Sequence, residues 1–80
     1  MKALITGMTG MVGSHLADFL LEHTDWDIHG MQRWRSPVDN IEHLLDRINR
    51  GDRIFVHYGD LNDQISLVRV LDEVRPDYIF

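Results

Sequence analysis

Gly7, Gly10 and Gly13 stand three residues apart, directly after the short apolar run Ala3-Leu4-Ile5 and directly before an amphipathic segment. That context predicts a strand, a tight turn and a helix N-terminus. The chemistry open to such a turn is to hold an anion, and its spacing suits a pyrophosphate. Gly7 would allow the sharp exit from the strand, Gly10 the approach of the backbone to the phosphates, and Gly13 close packing of helix on strand. Unpaired N–H groups and the positive end of the helix dipole would face the anion. A Walker-type phosphate loop is excluded, because it closes on Gly-Lys-Ser/Thr and here Gly13 is followed by Ser14 and His15.

A second group of residues extends this chemistry. In a dinucleotide site for NAD, an Asp or Glu about twenty residues past the glycines accepts from the ribose 2′-OH. Counting from Gly13 reaches Gln32 and Arg33, and no acid is there. Arg33, Arg35 and Ser36 stand in that loop instead. A 2′-phosphate is a dianion that calls for guanidinium forks and hydroxyl donors. The loop therefore suggests NADP over NAD; the bland alternative is a solvated basic loop. A third group is Gly59-Asp60-Leu61-Asn62-Asp63, just past the apolar run Ile54–Tyr58. Asp60 could accept from an exocyclic amine and Leu61 could cover an aromatic ring, which suits adenine. Asp60 or Asn62 could equally be a helix cap.

The elements that must position these groups follow from periodicity. A first helix is expected from about Met11 to Glu22, with Val12, Leu16, Phe19 and Leu20 on its packed face. Trp26–Met31 reads as a strand. Asp39 and Glu42 have capping-box spacing at the start of a helix that buries Ile41, Leu44, Leu45 and Ile48 and stops at Gly51. Arg53–Tyr58 is the third strand. A helix from about Asp63 to Val74 carries Ile65, Leu67, Val68, Leu71 and Val74, and Pro76 ends it. Asp77–Phe80 begins a fourth strand. The order β-α-β-α-β-α-β predicts an α/β fold, a parallel sheet with helices on both faces. His15, His23 and His43 are read as surface or packing residues.

Eighty residues are at most one small domain, and a doubly wound dinucleotide fold is normally about twice as long. Residues 1–80 are therefore expected to be the N-terminal part of an NADP-binding, Rossmann-like domain of a longer chain. The formal charge of -5 argues against nonspecific nucleic-acid binding. Without cysteine there is no disulfide framework, thiolate metal site or cysteine nucleophile. The first strand begins too early for a signal peptide, and no apolar run is long enough for a bilayer. A cytoplasmic protein is expected.

With these pieces in hand, the chain resembles the extended short-chain dehydrogenase/reductases that modify nucleotide sugars, and within them the GDP-mannose 4,6-dehydratase family. The matching residues include Ala3-Leu4-Ile5-Thr6-Gly7, Thr9-Gly10, Gly13-Ser14, His29-Gly30 with Arg33, Ile41-Glu42-His43-Leu44 and His57-Tyr58-Gly59-Asp60-Leu61. The chain departs from the family in having Met11-Val12 before the third glycine and Arg33-Trp34-Arg35 where two arginines are usually adjacent. The resemblance implies that Gly7, Thr9, Gly10, Met11 and Val12 line the pyrophosphate turn. It implies that Arg33, Arg35 and Ser36 meet the 2′-phosphate and that Asp60 and Leu61 hold the adenine. It implies a nucleotide-sugar substrate, oxidation at C4, loss of water across C5 and C6, return of the hydride to C6, and a homo-oligomer. The family's Tyr-x-x-x-Lys pair does not occur in these residues, so no catalytic residue and no metal ligand is nominated. Competing implications are a reductase or epimerase on a nucleotide sugar, and a non-catalytic dinucleotide sensor.

Overall fold

The computed structural model describes residues 1–33, 39–60 and 62–80. Four strands, β1 (Lys2–Ile5), β2 (Asp27–Gln32), β3 (Ile54–Tyr58) and β4 (Tyr78–Ile79), form one sheet in the order β3-β2-β1-β4. Every pairing is parallel. The chain steps outward from β1 to β3 and then returns to the far side of β1. The β1–β4 boundary is thus the switch point of an open α/β sheet, where a crevice forms outside the carboxyl ends of the strands.

Alternation along the strands divides the core into two layers. Ala3, Ile5, Ile28 and Ile54 point to one face and pack with Ala17, Leu20 and Leu21 of α1 (Met11–His23) and with Ile41 and Leu44. Leu4 and Met31 point to the other and pack with Val70 and Val74 of α3 (Gln64–Val74). The alternation predicted from the sequence therefore gives a sheet covered on both faces.

Three expectations change in detail. The packed face of α1 is rotated from the one that periodicity chose: Val12 is 82% exposed and Phe19 56% exposed, while Ser14 and Ala17 are buried. The cause is the start of the helix, where Gly13 lies so close to the strand-end backbone that the small residues must face the sheet. The segment after Asp39 begins as a 3₁₀ helix over Asp39–Leu44, and only Leu45–Arg50 is α-helical (α2). Three residues per turn put Ile41 and Leu44 on one side, and both are buried. The N-cap of α2 is Leu44, without a side-chain cap bond. On α3 the packed stripe is Leu67, Val70, Leu71 and Val74, while Ile65 and Val68 face outward. Its N-cap is Asp63, which accepts from Ile65 N at 3.1 Å, so neither Asp60 nor Asn62 has that role.

On the α3 face, His29 of β2 and His57 of β3 stack, with Nδ1 of His29 2.9 Å from Nε2 of His57. Glu73 Oε2 lies 3.7 Å from His57 Nδ1. Burial lowers the pKa of His29 from 6.5 to about 4, helped by His57 and Lys2 and opposed by Asp27. Burial also lowers that of His57; Glu73 raises it and Arg69 lowers it. Both rings are thus held neutral, and the unfolded chain binds more protons than the folded one between these values. For His29 that stability is complete above pH 6.5 and is lost as pH falls toward about 4. Taken at its full value the His29 shift is worth about 3 kcal/mol. The ring is only partly exposed, and about 3 kcal/mol is an upper bound on the effect. Denaturant midpoints of the intact protein at pH 7 and pH 4.5 should therefore differ less in His29→Gln than in the wild type. An unchanged difference would remove His29 from the account.

Candidate functional site

The glycine turn leaves β1 at its carboxyl end. Gly10 N donates to Gly7 O at 3.0 Å and Ser14 N donates to Gly10 O at 2.9 Å, so the turn closes on itself and then enters α1. Gly10 is the N-cap and supplies no side-chain cap bond. The N–H groups of Met11, Val12 and Gly13 have no partner within the helix, as in any first turn. They are the donors an anion would meet. The exposed side chains of Met11 and Val12 do not line the cavity beside them.

Each glycine has a different reason. A Cβ on Gly13 would sit 2.0 Å from Gly7 O and 2.7 Å from Gly7 C, inside rigid backbone. A Cβ on Gly10 would sit 3.3 Å from Gly7 O, a tight but smaller intrusion. A Cβ on Gly7 would meet nothing within 4 Å, and Gly7 is not among the described residues with positive φ. The strand exit therefore places no conformational demand for glycine at position 7. What its missing side chain leaves is open space on the wall of a cavity.

That cavity measures about 350 Å³. Its walls come from the carboxyl ends of three strands: Thr6, Gly7 and Thr9 after β1; Met31, Gln32 and Arg33 at β2; Gly59, Asp60 and Asn62 after β3. A neighbouring hollow of about 320 Å³ shares Arg33, Gly59 and Asp60 and adds Tyr58, Asp63 and Ser66. The structure thus brings Gly7, Thr9, Arg33 and Asp60 to one cavity, with Gly10 and Gly13 in the turn beside it. Arg35, Ser36 and Leu61 lie outside the described residues. Asp60 Oδ1 accepts from Asn62 N at 2.9 Å, and Ser66 Oγ accepts from Asp60 N at 3.1 Å. One carboxylate oxygen therefore shapes its own loop.

Several contributors escaped the sequence reading. Met8 is fully buried beneath the turn, and a Cβ on Gly30 of β2 would lie 2.2 Å from its Sδ and 2.8 Å from its Cβ. Gly30 thus makes the seat for Met8. A glycine inside a strand was the available signal, since it often marks a close approach. Asn40 Nδ2 donates to Thr9 O at 3.0 Å and ties the 3₁₀ segment to the turn. Gln32 is nine-tenths buried, and its Oε1 has no hydrogen-bond partner among the described residues.

The residues present fit a dinucleotide: first-turn donors for phosphates, open space at Gly7, a guanidinium at the end of β2 and an acceptor after β3. Among the described residues no helix is long and apolar enough to cross a membrane.

The parallel sheet, its strand order and the glycine turn at the switch point make this an α/β protein of the Rossmann-like kind. Solved structures agree. PbgP3 from Burkholderia pseudomallei superposes with a TM-score of 0.74 at 29% identity, covering 98% of this chain and 23% of that one. UDP-glucuronic acid 4-epimerase from Bacillus cereus, in complex with NAD, gives 0.70 at 28% identity, covering 100% of this chain and 25% of that one. The chain belongs to the GDP-mannose 4,6 dehydratase family, whose model matches residues 4–80. The GDP-mannose 4,6-dehydratase of Yersinia enterocolitica is 44% identical over 99% of this chain and 22% of its own length. The human GDP-mannose 4,6 dehydratase is 43% identical over 98% of this chain and 22% of its own length. The chain thus spans about a fifth of the length of the curated relatives it matches.

Proposed function

We propose that residues 1–80 form the NADP-binding part of a nucleotide-sugar 4,6-dehydratase acting on a GDP-mannose-type substrate in a cytoplasmic homo-oligomer. The observation that carries the cofactor reading is the shared cavity, in which the strand-end glycine turn and Arg33 line one space. The family and its relatives carry the substrate class. In this reading the N–H groups of Met11, Val12 and Gly13 bind the pyrophosphate and the Arg33 guanidinium pairs with the 2′-phosphate. Arg35 and Ser36 extend that contact. Asp60 accepts from the adenine amine and Leu61 covers its ring. The bound cofactor would supply reversible hydride transfer at the sugar, and the role of this chain is to bind and orient it.

The test is a fluorescence titration of the intact protein with NADPH and NADH, alongside Arg33→Ala. Losing a charged partner of the phosphate should weaken NADPH about tenfold to a hundredfold and leave NADH little changed. Equal affinity for both cofactors, untouched by the substitution, would make Arg33 a solvated loop residue. It would favour an NAD-using epimerase, the second reading supported by the likeness to the Bacillus cereus structure. Binding of neither would end the cofactor reading.

A further inference from the structure

Asn40 stands on the 3₁₀ segment Asp39–Leu44 and reaches across to the glycine turn, where its Nδ2 donates to Thr9 O at 3.0 Å. The three-residue period of that segment decides what holds it. Ile41 and Leu44 share the side buried in the core. Asn40 and His43 share the next side, where His43 Nε2 lies 2.8 Å from Asp18 Oδ1 of α1. The segment is thus pinned by its apolar side and by two polar contacts, one to the turn and one to the helix that follows it. The first of these falls on the Thr9–Gly10 peptide. A trans peptide is planar, with its carbonyl and its N–H pointing to opposite sides. Asn40 holds the carbonyl, and Gly7 O accepts from the N–H at 3.0 Å. With both sides held, the plane cannot rotate without breaking two hydrogen bonds.

Resting on the dinucleotide reading above, we infer that Asn40 is a positioning residue: by holding the Thr9 carbonyl it locks the Thr9–Gly10 peptide and so keeps the phosphate turn in its binding shape. The lock is needed because the turn is made of glycine. Gly10 has a φ of -74°, and turning the peptide over would carry it to positive φ, which glycine enters at little cost. Without Asn40, only the contact with Gly7 opposes that motion. Gly10 is also the N-cap of α1, so its position sets where the first-turn N–H groups begin. Thr9 lines the cavity, and its carbonyl swung that way would set an acceptor against phosphate oxygens. Asn40 does not itself line the cavity. It acts through the turn, on the pyrophosphate that both nicotinamide cofactors share, whereas Arg33 acts on the phosphate that only one of them carries.

Two variants of the intact protein test this by amide hydrogen exchange without cofactor and by titration with NADPH and NADH. Asn40→Ala should speed exchange of the Gly10 amide about threefold to tenfold, the scale of one neutral hydrogen bond. The Ile28 amide, which donates to Arg53 O at 2.8 Å at the other end of the sheet, is the reference. It should stay within about twofold of the wild type, as for an exposed substitution. Asn40→Ala should also weaken NADPH and NADH by the same factor, about threefold to tenfold. Asn40→Asp keeps the shape and loses the donor, so it should speed Gly10 exchange at least as much. Gly10 exchange unchanged in both variants overturns the lock. Exchange that speeds equally at Gly10 and Ile28 overturns it too, since Asn40 would then serve stability alone. Loss of NADPH with NADH untouched overturns it by assigning Asn40 to the extra phosphate. Wild-type protein that binds neither cofactor defeats the dinucleotide reading itself, and the positioning role with it. Wild-type binding that Asn40→Ala leaves unchanged defeats the positioning role alone.

Discussion

Gly13→Ala is expected to abolish measurable dinucleotide binding and to destabilise the protein by about 3 kcal/mol or more, the scale of severe overpacking. The added Cβ would overlap Gly7 O at 2.0 Å and Gly7 C at 2.7 Å and would touch Met8 Cα at 3.0 Å. All three are backbone atoms of the turn, so no rotamer change relieves the overlap. Either α1 lifts from the sheet or the turn opens. Lifting α1 withdraws Ala17, Leu20 and Leu21 from the core they share with Ala3 and Ile28. Opening the turn breaks the Gly10 N to Gly7 O bond and misdirects the first-turn N–H groups. Gly10→Ala is the control. Its Cβ would approach Gly7 O only to 3.3 Å, and a shift of a few tenths of an ångström accommodates it. Thermal melts and NADPH titration of both variants check the ranking. A Gly13→Ala protein that melts and binds like the wild type would refute the packing account of this glycine.

The second large effect lies at the opposite end of the sheet. Arg53, just before β3, donates from Nη1 to Leu21 O at 3.3 Å and from Nη2 to Trp26 O at 3.1 Å and to Thr24 O. One guanidinium thus joins the end of α1 to the segment that enters β2. The backbone of Arg53 supports the same junction, because its carbonyl accepts from Ile28 N at 2.8 Å. Arg53→Ala leaves three carbonyls without a charged donor. Hydrogen bonds to charged groups contribute about 1.5–3 kcal/mol each, and water recovers part of the loss at a half-buried site, so about 3 kcal/mol is expected. Arg53→Lys should restore little, since an ammonium lacks the planar fork. The clamp sits at the amino ends of the strands, away from the cavity at their carboxyl ends. Denaturant unfolding should therefore show the loss, while NADPH affinity under folding conditions stays within about twofold of the wild type, far short of a charged hydrogen bond. A fall in affinity comparable to that of Arg33→Ala would show that the clamp shapes the site.

These two positions differ in how visible they are along the chain. Gly13 belongs to a spaced pattern that follows an apolar run and precedes a helix, and the pattern alone suggests its role. Arg53 is one arginine before a strand, with no local signal, because its acceptors lie 27 to 32 residues away in sequence.

The same division runs through the whole protein. Periodicity of two and of 3.6 residues, with glycine and proline breaks, determined the strands, the order of elements and the parallel α/β class, because those signals are local. The glycine spacing determined where an anion could be held. Tertiary structure decided the phase of α1, which follows from the closest approach at Gly13 and not from the count of apolar residues. It decided that Asp39–Leu44 winds as a 3₁₀ helix, since burying Ile41 and Leu44 together suits a three-residue turn. It decided that Gly30 seats Met8, because that contact depends on atoms brought together from separate segments. Local pattern specifies what the chain can form; distances between elements specify which side chains meet, and those distances exist only after folding.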